Sequence, residues 1–369
     1  MMVEDKGSEQ SKQSRGGKGS PLEQWEDEMN ICIRCGYCFE SCPVLDQLDW
    51  DTDTARGKVI LAYGLLNGDL EPNERIAEKL YQCTFCRDCV QRCSSSVAVP
   101  EILQAARAEM VTAGYASDVH EHVIDNVRRT GNIYGDTDVV APVREGGTPV
   151  FLGCQYLSRP NKTKRYLQIL EALGFEPMVQ EEICCGFPMK ALGFTEAFEE
   201  HKERFLERYP HEELIAFCPT CTMFLKEEYG LKAKHAMEVI SERLPEANLG
   251  LKVTWHDPCD LSRGMGIIEE PRSILRTLGC EITEMENSKT TSRCCGGGGG
   301  ILMSDEDLSD RIALDRVREA LDTGADMLVT SCPTCEQVLK KAAQTLKAEN
   351  EGSIKVRNIE DILWKGVRR

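Results

Sequence analysis

Two hydrophobic rhythms alternate through residues 149–369. Short apolar runs rich in β-formers, PVFLG (149–153), LIAFC (214–218), LKVTWH (251–256) and MLVTSC (327–332), predict buried strands. Between and after them, 161–173, 195–209, 304–321 and 334–347 carry apolar residues at helical spacing. The stripe Leu308, Ile312, Leu314, Val317 and Leu321 predicts ordinary core packing of one helix face. Gly174 and Gly279 follow the runs LQILEAL and ILRTL, where a left-handed glycine ends a helix. Alternating strands and helices predict an α/β fold with mostly parallel pairing, whose sites gather in loops after the strands' carboxyl ends. Residues 21–130 read as helical, and GNIYGDTDVVAPVREGGT (131–148) reads as a linker from its turn-forming residues. Residues 1–20 are polar and Gly/Ser-rich and read as a disordered tail.

A second regularity lies over the first. PVFLGC (149–154), ICCGFP (183–188) and AFCPTC (216–221) recur in order as TWHDPC (254–259), RCCGGGGG (293–300) and TSCPTC (330–335). The offset grows from 105 to 110 to 114 positions, as small loop insertions produce. Such a repeat predicts duplicated domains, here 149–248 and 249–369, facing each other as pseudo-twofold halves.

Composition narrows the class. A chain of 369 residues has room for two or three domains with sizeable cores. Its formal net charge of −17 makes nucleic acid an unsuitable partner. No stretch approaches the ~18 apolar residues of a membrane helix, and the first twenty residues lack a secretory apolar region. The expected location is cytoplasmic, with any membrane association made through a partner subunit. The 19 cysteines are odd in number and tightly spaced, which points to metal ligation in a reducing compartment.

Eight of them form two quartets. Cys32, Cys35, Cys38 and Cys42 lie in CIRCGYCFESCP, and Cys83, Cys86, Cys89 and Cys93 in CTFCRDCVQRCS. Both follow C-x2-C-x2-C-x3-C, the bacterial ferredoxin spacing, in which the fourth cysteine ligates the other cluster. One cubane [4Fe–4S] cluster is therefore expected on Cys32, Cys35, Cys38 and Cys93, and the other on Cys83, Cys86, Cys89 and Cys42. Zinc is the competing ligand for C-x-x-C pairs, though two runs of identical spacing argue against it. Ser94 stands where the ferredoxin pattern has proline, which predicts an altered exit loop with the ligands intact.

Ten more cysteines fall in the repeats: Cys154, Cys184, Cys185, Cys218 and Cys221, then Cys259, Cys294, Cys295, Cys332 and Cys335. Adjacent cysteines reach one centre only through a sharp turn, which Gly186 and Gly296 permit. Gly297 through Gly300 extend the second turn, and free amides there can approach a cluster or an anionic substrate. A zinc site with a spare thiol, or a redox C-x-x-C pair, is the alternative. The nineteenth cysteine, Cys280, enters a strand and reads as a small buried residue. His256, beside Asp257 and Cys259, is a candidate proton donor to a leaving thiolate or hydrogen-bond donor to a ligand sulfur, against a purely structural histidine. Arg159 and Arg263 follow Cys154 and Cys259 at similar distances and are candidates to hold a substrate anion, against solvated surface arginines. The basic run SRPNKTKRY (158–166) reads as a solvated helix face.

The order C–CCG–CxxC resembles the cysteine-rich CCG domain in the B-type polypeptide of heterodisulfide reductase, and the two quartets resemble its C-type polypeptide, an α-helical ferredoxin. Both in one chain resemble the D-type polypeptide of heterodisulfide reductase, together with relatives in glycolate oxidation, lactate utilisation and anaerobic glycerol-3-phosphate oxidation. The resemblance implies an N-terminal α-helical ferredoxin domain followed by two Rossmann-like CCG domains, each complete five-cysteine set holding a noncubane [4Fe–4S] cluster. It implies an oxidoreductase that takes electrons through two cubanes and cleaves a small disulfide of the CoM-S-S-CoB type, the ten CCG cysteines being catalytic and His256 assisting. The alternative is a relay subunit passing electrons from a flavin 2-hydroxy-acid or glycerol-3-phosphate dehydrogenase to quinone. No G-x-G-x-x-G unit opens a helix after a strand, so flavin or nicotinamide is expected on another subunit. The implied partners are a flavin-containing or cytochrome b-type subunit within a multi-subunit complex.

Overall fold

A computed structural model describes residues 19–368. The tail expected over 1–20 falls outside them except for Gly19 and Ser20, and the Ser20 hydroxyl donates to Glu109 Oε2 (2.8 Å). The N-terminal part is helical. Its principal helices are α1 (Ala55–Leu66), α2 (Glu74–Tyr81), α3 (Val99–Thr112) and α4 (Asp118–Thr130). Thr54 and Asn73 start α1 and α2 by accepting the backbone N–H of Gly57 and Ile76 (both 3.1 Å), groups without a partner inside the helix. Both helices pack on α3; the first quartet lies ahead of α1, and the second in the segment between α2 and α3.

The rest forms two four-stranded parallel sheets. The first holds β1 (Thr148–Phe151), β2 (Pro177–Met178), β3 (Glu213–Ala216) and β4 (Lys232–His235), in the order β2-β1-β3-β4. The second holds β5 (Lys252–Trp255), β6 (Glu281–Ile282), β7 (Met327–Thr330) and β8 (Lys355–Asn358), in the order β6-β5-β7-β8. The duplicated sequence thus gives duplicated topology. The apolar runs read as strands are the two central strands of each sheet. The four edge strands escape that reading because β2 and β6 are two residues long, while β4 exposes Lys232 and Lys234 and β8 exposes Lys355.

The helices of the repeats are α5 (Pro160–Ala172), α6 (Thr195–Arg208), α7 (Pro219–Tyr229), α8 (Ala236–Ser241), α9 (Glu269–Thr277), α10 (Glu306–Asp322), α11 (Pro333–Ala348) and α12 (Ile359–Val367). Their contacts between repeats are reciprocal. α5 packs on α12 while its counterpart α9 packs on α8, and the turn Cys154–Leu157 meets α11 while its counterpart Asp260–Gly264 meets α7. Reciprocity of this kind is the signature of a twofold relation. The seam is polar: Lys162 bridges Glu336 (2.8 Å), Arg165 bridges Asp361 (2.8 Å), and the Tyr156 hydroxyl donates to Ser331 O (2.8 Å). This corrects the reading of SRPNKTKRY as a solvated face. Lys162 and Arg165 spend their charges on the other repeat, a destination that no local pattern reveals, while Lys164 stays exposed as read.

Candidate metal centres

The quartets meet as two crossed sets. One cavity is lined by Cys32, Cys35, Cys38 and Cys93 with Arg34, Tyr37 and Arg56, and a second by Cys42, Cys83, Cys86 and Cys89 together with Cys38 and Lys58. Local turns aim these sulfurs inward: Arg34, Gly36, Phe85 and Arg87 all take positive φ, curling the chain around each cavity. Cys35 is exposed, whereas Cys86 is buried, so the first set lies toward the surface and the second inside. Lys58, fully buried, sends its ammonium to Asp53 O beside Cys83 and Cys42. Burial lowers its pKa, and the neighbouring sulfurs and Asp53 act the other way.

Each five-cysteine set converges on one buried point. Cys154 touches Cys184, Cys184 touches Cys185, Cys185 touches Cys221, and Cys221 touches Cys218, all through thiol hydrogen bonds. In the second set Cys294, Cys295, Cys335 and Cys332 form the same chain, with Cys259 alongside. The glycine turns serve the sulfurs directly. Gly296 N–H donates to Cys294 Sγ (3.3 Å) and Gly297 N–H to Cys295 Sγ (3.5 Å). Gly186 and Phe187 amides repeat this on Cys184 and Cys185. Hydrogen bonds from Cys184 and Cys221 lower the pKa of Cys185, and those from Cys294 and Cys335 lower that of Cys295. Five converging thiols exceed the four that tetrahedral zinc accepts, and amide-to-sulfur bonds are the usual surroundings of iron–sulfur ligands. The donor set therefore fits an iron–sulfur cluster.

The surroundings of the two sets differ. Behind the second, Arg316 Nε donates to His256 Nδ1 (3.1 Å); arginine can only donate, so the imidazole proton sits on Nε2. One ring nitrogen of His256 and the sulfurs of Cys295 and Cys335 lie within 4.8 Å of one another, so the neutral imidazole stands against the second set. Burial pushes His256 down to about 3, which favours the hydrogen-bonding role over acid catalysis. Asp257 holds Arg272 through two bonds (2.7 and 2.8 Å). Behind the first set stands Glu182, whose carboxylate accepts the amides of Leu152 and Gly153 (both 2.8 Å) and which burial raises to about 8. The sequence reading missed Glu182, Arg316 and Lys58. Of these only Lys58 left a signal, a charge at the head of the apolar run KVILAYGLL; Glu182 and Arg316 stand among other charged residues.

One expectation is corrected and another gains a packing cause. Arg263 is neither solvated nor free for substrate: it is buried and donates to the carbonyls of Cys86 (2.6 Å), Thr290 (3.1 Å) and Ser292 (2.6 Å). Gly298 and Gly299 have a packing role as well: a Cβ there would lie 2.3 Å from Thr84 O and 1.8 Å from Cys83 O. They are glycine so that the second repeat can press against the quartet loop. Cys280 sits in the core away from both sets, and burial raises its thiol to about 11.

That pressed contact joins the sites. Cys86, of the inner quartet set, lies in hydrogen-bond contact with Cys294 of the second five-cysteine set. Across the seam, Thr220, between Cys218 and Cys221, donates to Asp260 (2.5 Å), the neighbour of Cys259.

Residues 28–97 match the 4Fe-4S dicluster domain family, and residues 149–226 and 253–340 each match the Cysteine-rich domain family. The B polypeptide of the fumarate reductase (CoM/CoB) of Methanothermobacter marburgensis is 28% identical, over 95% of this chain and 75% of its own length. The D polypeptide of the dihydromethanophenazine:CoB–CoM heterodisulfide reductase of Methanosarcina acetivorans is 26% identical, over 91% of this chain and 92% of its own. The EtfAB:quinone oxidoreductase of Syntrophomonas wolfei is 25% identical over 93% of this chain, which spans 59% of that protein. Among the described residues no helix is long and apolar enough to cross a membrane.

Proposed function

We propose that this chain, an iron–sulfur electron-transfer protein related to the D polypeptide of heterodisulfide reductase, is the component that reduces a small organic disulfide. In this reading Cys32, Cys35, Cys38 and Cys93 hold the entry cubane at the surface, and Cys42, Cys83, Cys86 and Cys89 the inner one. The ten repeat cysteines hold two noncubane [4Fe–4S] clusters. The observation carrying the reading is the contact of Cys86 with Cys294, which leads from the inner quartet into a pair of complete five-thiol sets. The bound clusters would supply electrons singly. The reaction balances as RS–SR′ plus two electrons and two protons, giving RSH and R′SH.

The chain's own residues have definite tasks here. Glycine amides and the His256 Nε2–H hydrogen-bond sulfur and stabilise its negative charge. Arg272 and Arg316 hold that scaffold, and the packed repeats exclude water. Electrons come from a flavin-containing or cytochrome b-type partner docked at the exposed Cys35 end, within a multi-subunit complex. Kinship with an EtfAB:quinone oxidoreductase supports a second reading, a relay from flavin to quinone without disulfide chemistry. EPR of the oxidised, anaerobically prepared protein separates the two. A new paramagnetic signal on adding thiol, with oxidation of the reduced protein by disulfide, is the outcome expected for disulfide reduction; neither effect would leave the relay.

A further inference from the structure

Arg159 and Arg263 hold like places in the two repeats but meet opposite fates. Arg263 is fully engaged by three carbonyls. Arg159 gives Nη2 to Gln337 Oε1 (3.2 Å), while its Nη1 is buried with no hydrogen-bond partner among the described residues. A buried guanidinium N–H without an acceptor has given up its hydration and gained nothing in return. The place is informative too. Arg159 lies five residues after Cys154, and Gln337 belongs to α11 of the other repeat, two residues after Cys335. The group therefore stands on the seam between the two five-thiol sets. Tyr134 completes the surroundings: its ring is 41% exposed, its hydroxyl donates to Gln155 (2.8 Å), and Ser158, Cys154, Arg159 and Cys218 are its electrostatic neighbours.

We infer that Arg159, with Tyr134 beside it, is an anion anchor on the repeat seam, taking the carboxylate, sulfonate or phosphate head of an organic ligand that reaches the first five-thiol set. A planar guanidinium with one unused N–H suits an oxyanion, and no carboxylate among the described residues occupies it. The part of the inference that concerns a sulfur-bearing ligand rests on the disulfide reading; the anchor itself does not.

The test uses the anaerobic holoprotein and Arg159→Gln, with Arg159→Lys as a variant that keeps the charge and loses the fork. Line broadening of butyrate, propane-1-sulfonate and inorganic phosphate, read by ligand NMR against the reduced protein, reports the anchor alone and shows which head it takes. Wild type is expected to bind at least one, Arg159→Gln about tenfold more weakly, and Arg159→Lys in between. Equal binding by wild type and Arg159→Gln at matched iron content, or binding of none of the three anions by wild type, overturns the anchor. EPR titration with 3-mercaptopropionate and neutral 2-mercaptoethanol reports the sulfur. Arg159→Gln should raise the half-saturating concentration for the anionic thiol about tenfold and leave the neutral one unchanged. A thiol signal absent from wild type while the sulfur-free anion still binds would remove the disulfide reading and keep the anchor.

Discussion

At the scale of single residues, the sites are built from backbone amides aimed at sulfur, and glycine is what allows the aim. Gly296 has φ +88°, and a Cβ there would lie 2.5 Å from Ser309 O, a backbone atom that cannot swing aside. Gly296→Ala is expected to lose the second five-thiol centre, about four irons per chain by metal analysis. Gly186→Ala meets only Phe198 and His201 side chains at 3.0 Å and should retain more iron. Lys58 makes a separate test. Its buried ammonium stands beside Cys42 and Cys83, where a positive charge favours the reduced, more negative cluster. Lys58→Met should therefore lower the inner cubane's reduction potential by tens of millivolts in a redox titration. A rise, or no change, would separate Lys58 from that cluster.

At the scale of elements, α8 shows how a buried cap makes stability depend on pH. His235 Nδ1 accepts the Met237 N–H (3.2 Å), its Nε2–H donates to Phe217 O (3.0 Å), and Glu238 returns a bond to the His235 amide (2.7 Å). Burial pushes His235 from 6.5 down to about 3. The unfolded chain then binds the proton more readily than the folded one. The histidine's contribution is complete above pH 6.5 and is lost progressively as pH falls toward 3. Urea midpoints of wild type should drop over that window, and His235→Asn, which keeps a capping side chain, should drop less. Equal slopes would remove His235 as the cause.

The elements also show how much the sequence carried. The four central strands, the helices α5, α6, α10 and α11 and the grouping of the cysteines were legible, because apolar period and ligand spacing are local properties. The edge strands were not, being short or polar on one side. Nor were the destinations of Lys162, Arg165 and Arg263, because a charge's partner three-dimensionally opposite leaves no trace in its own neighbourhood. The packing of Gly298 and Gly299 against the quartet loop was hidden for the same reason. Their glycine requirement was visible, but the backbone that imposes it is some 215 positions away.

At the scale of the whole molecule, Arg107 fastens the quartet region to both repeats. Fully buried, it donates to Leu80 O (3.1 Å), Tyr81 O (3.1 Å) and Cys83 O (3.3 Å) of its own region, Ala191 O (2.9 Å) of the first repeat and Gly299 O (2.8 Å) of the second. Arg107→Ala strands all five carbonyls and should cost about 3 kcal/mol or more in denaturant unfolding. Electron delivery to the five-thiol sets should slow with it, because the same residue presses Cys83 and Gly299 together. Unchanged stability would contradict this.

Four centres in one chain, two on crossed quartets and two on five-thiol sets, fix the iron and acid-labile sulfide that anaerobically isolated protein should carry. About 16 irons per chain are expected. About 8, with the quartets filled and the repeat sets empty, would contradict the four-centre arrangement.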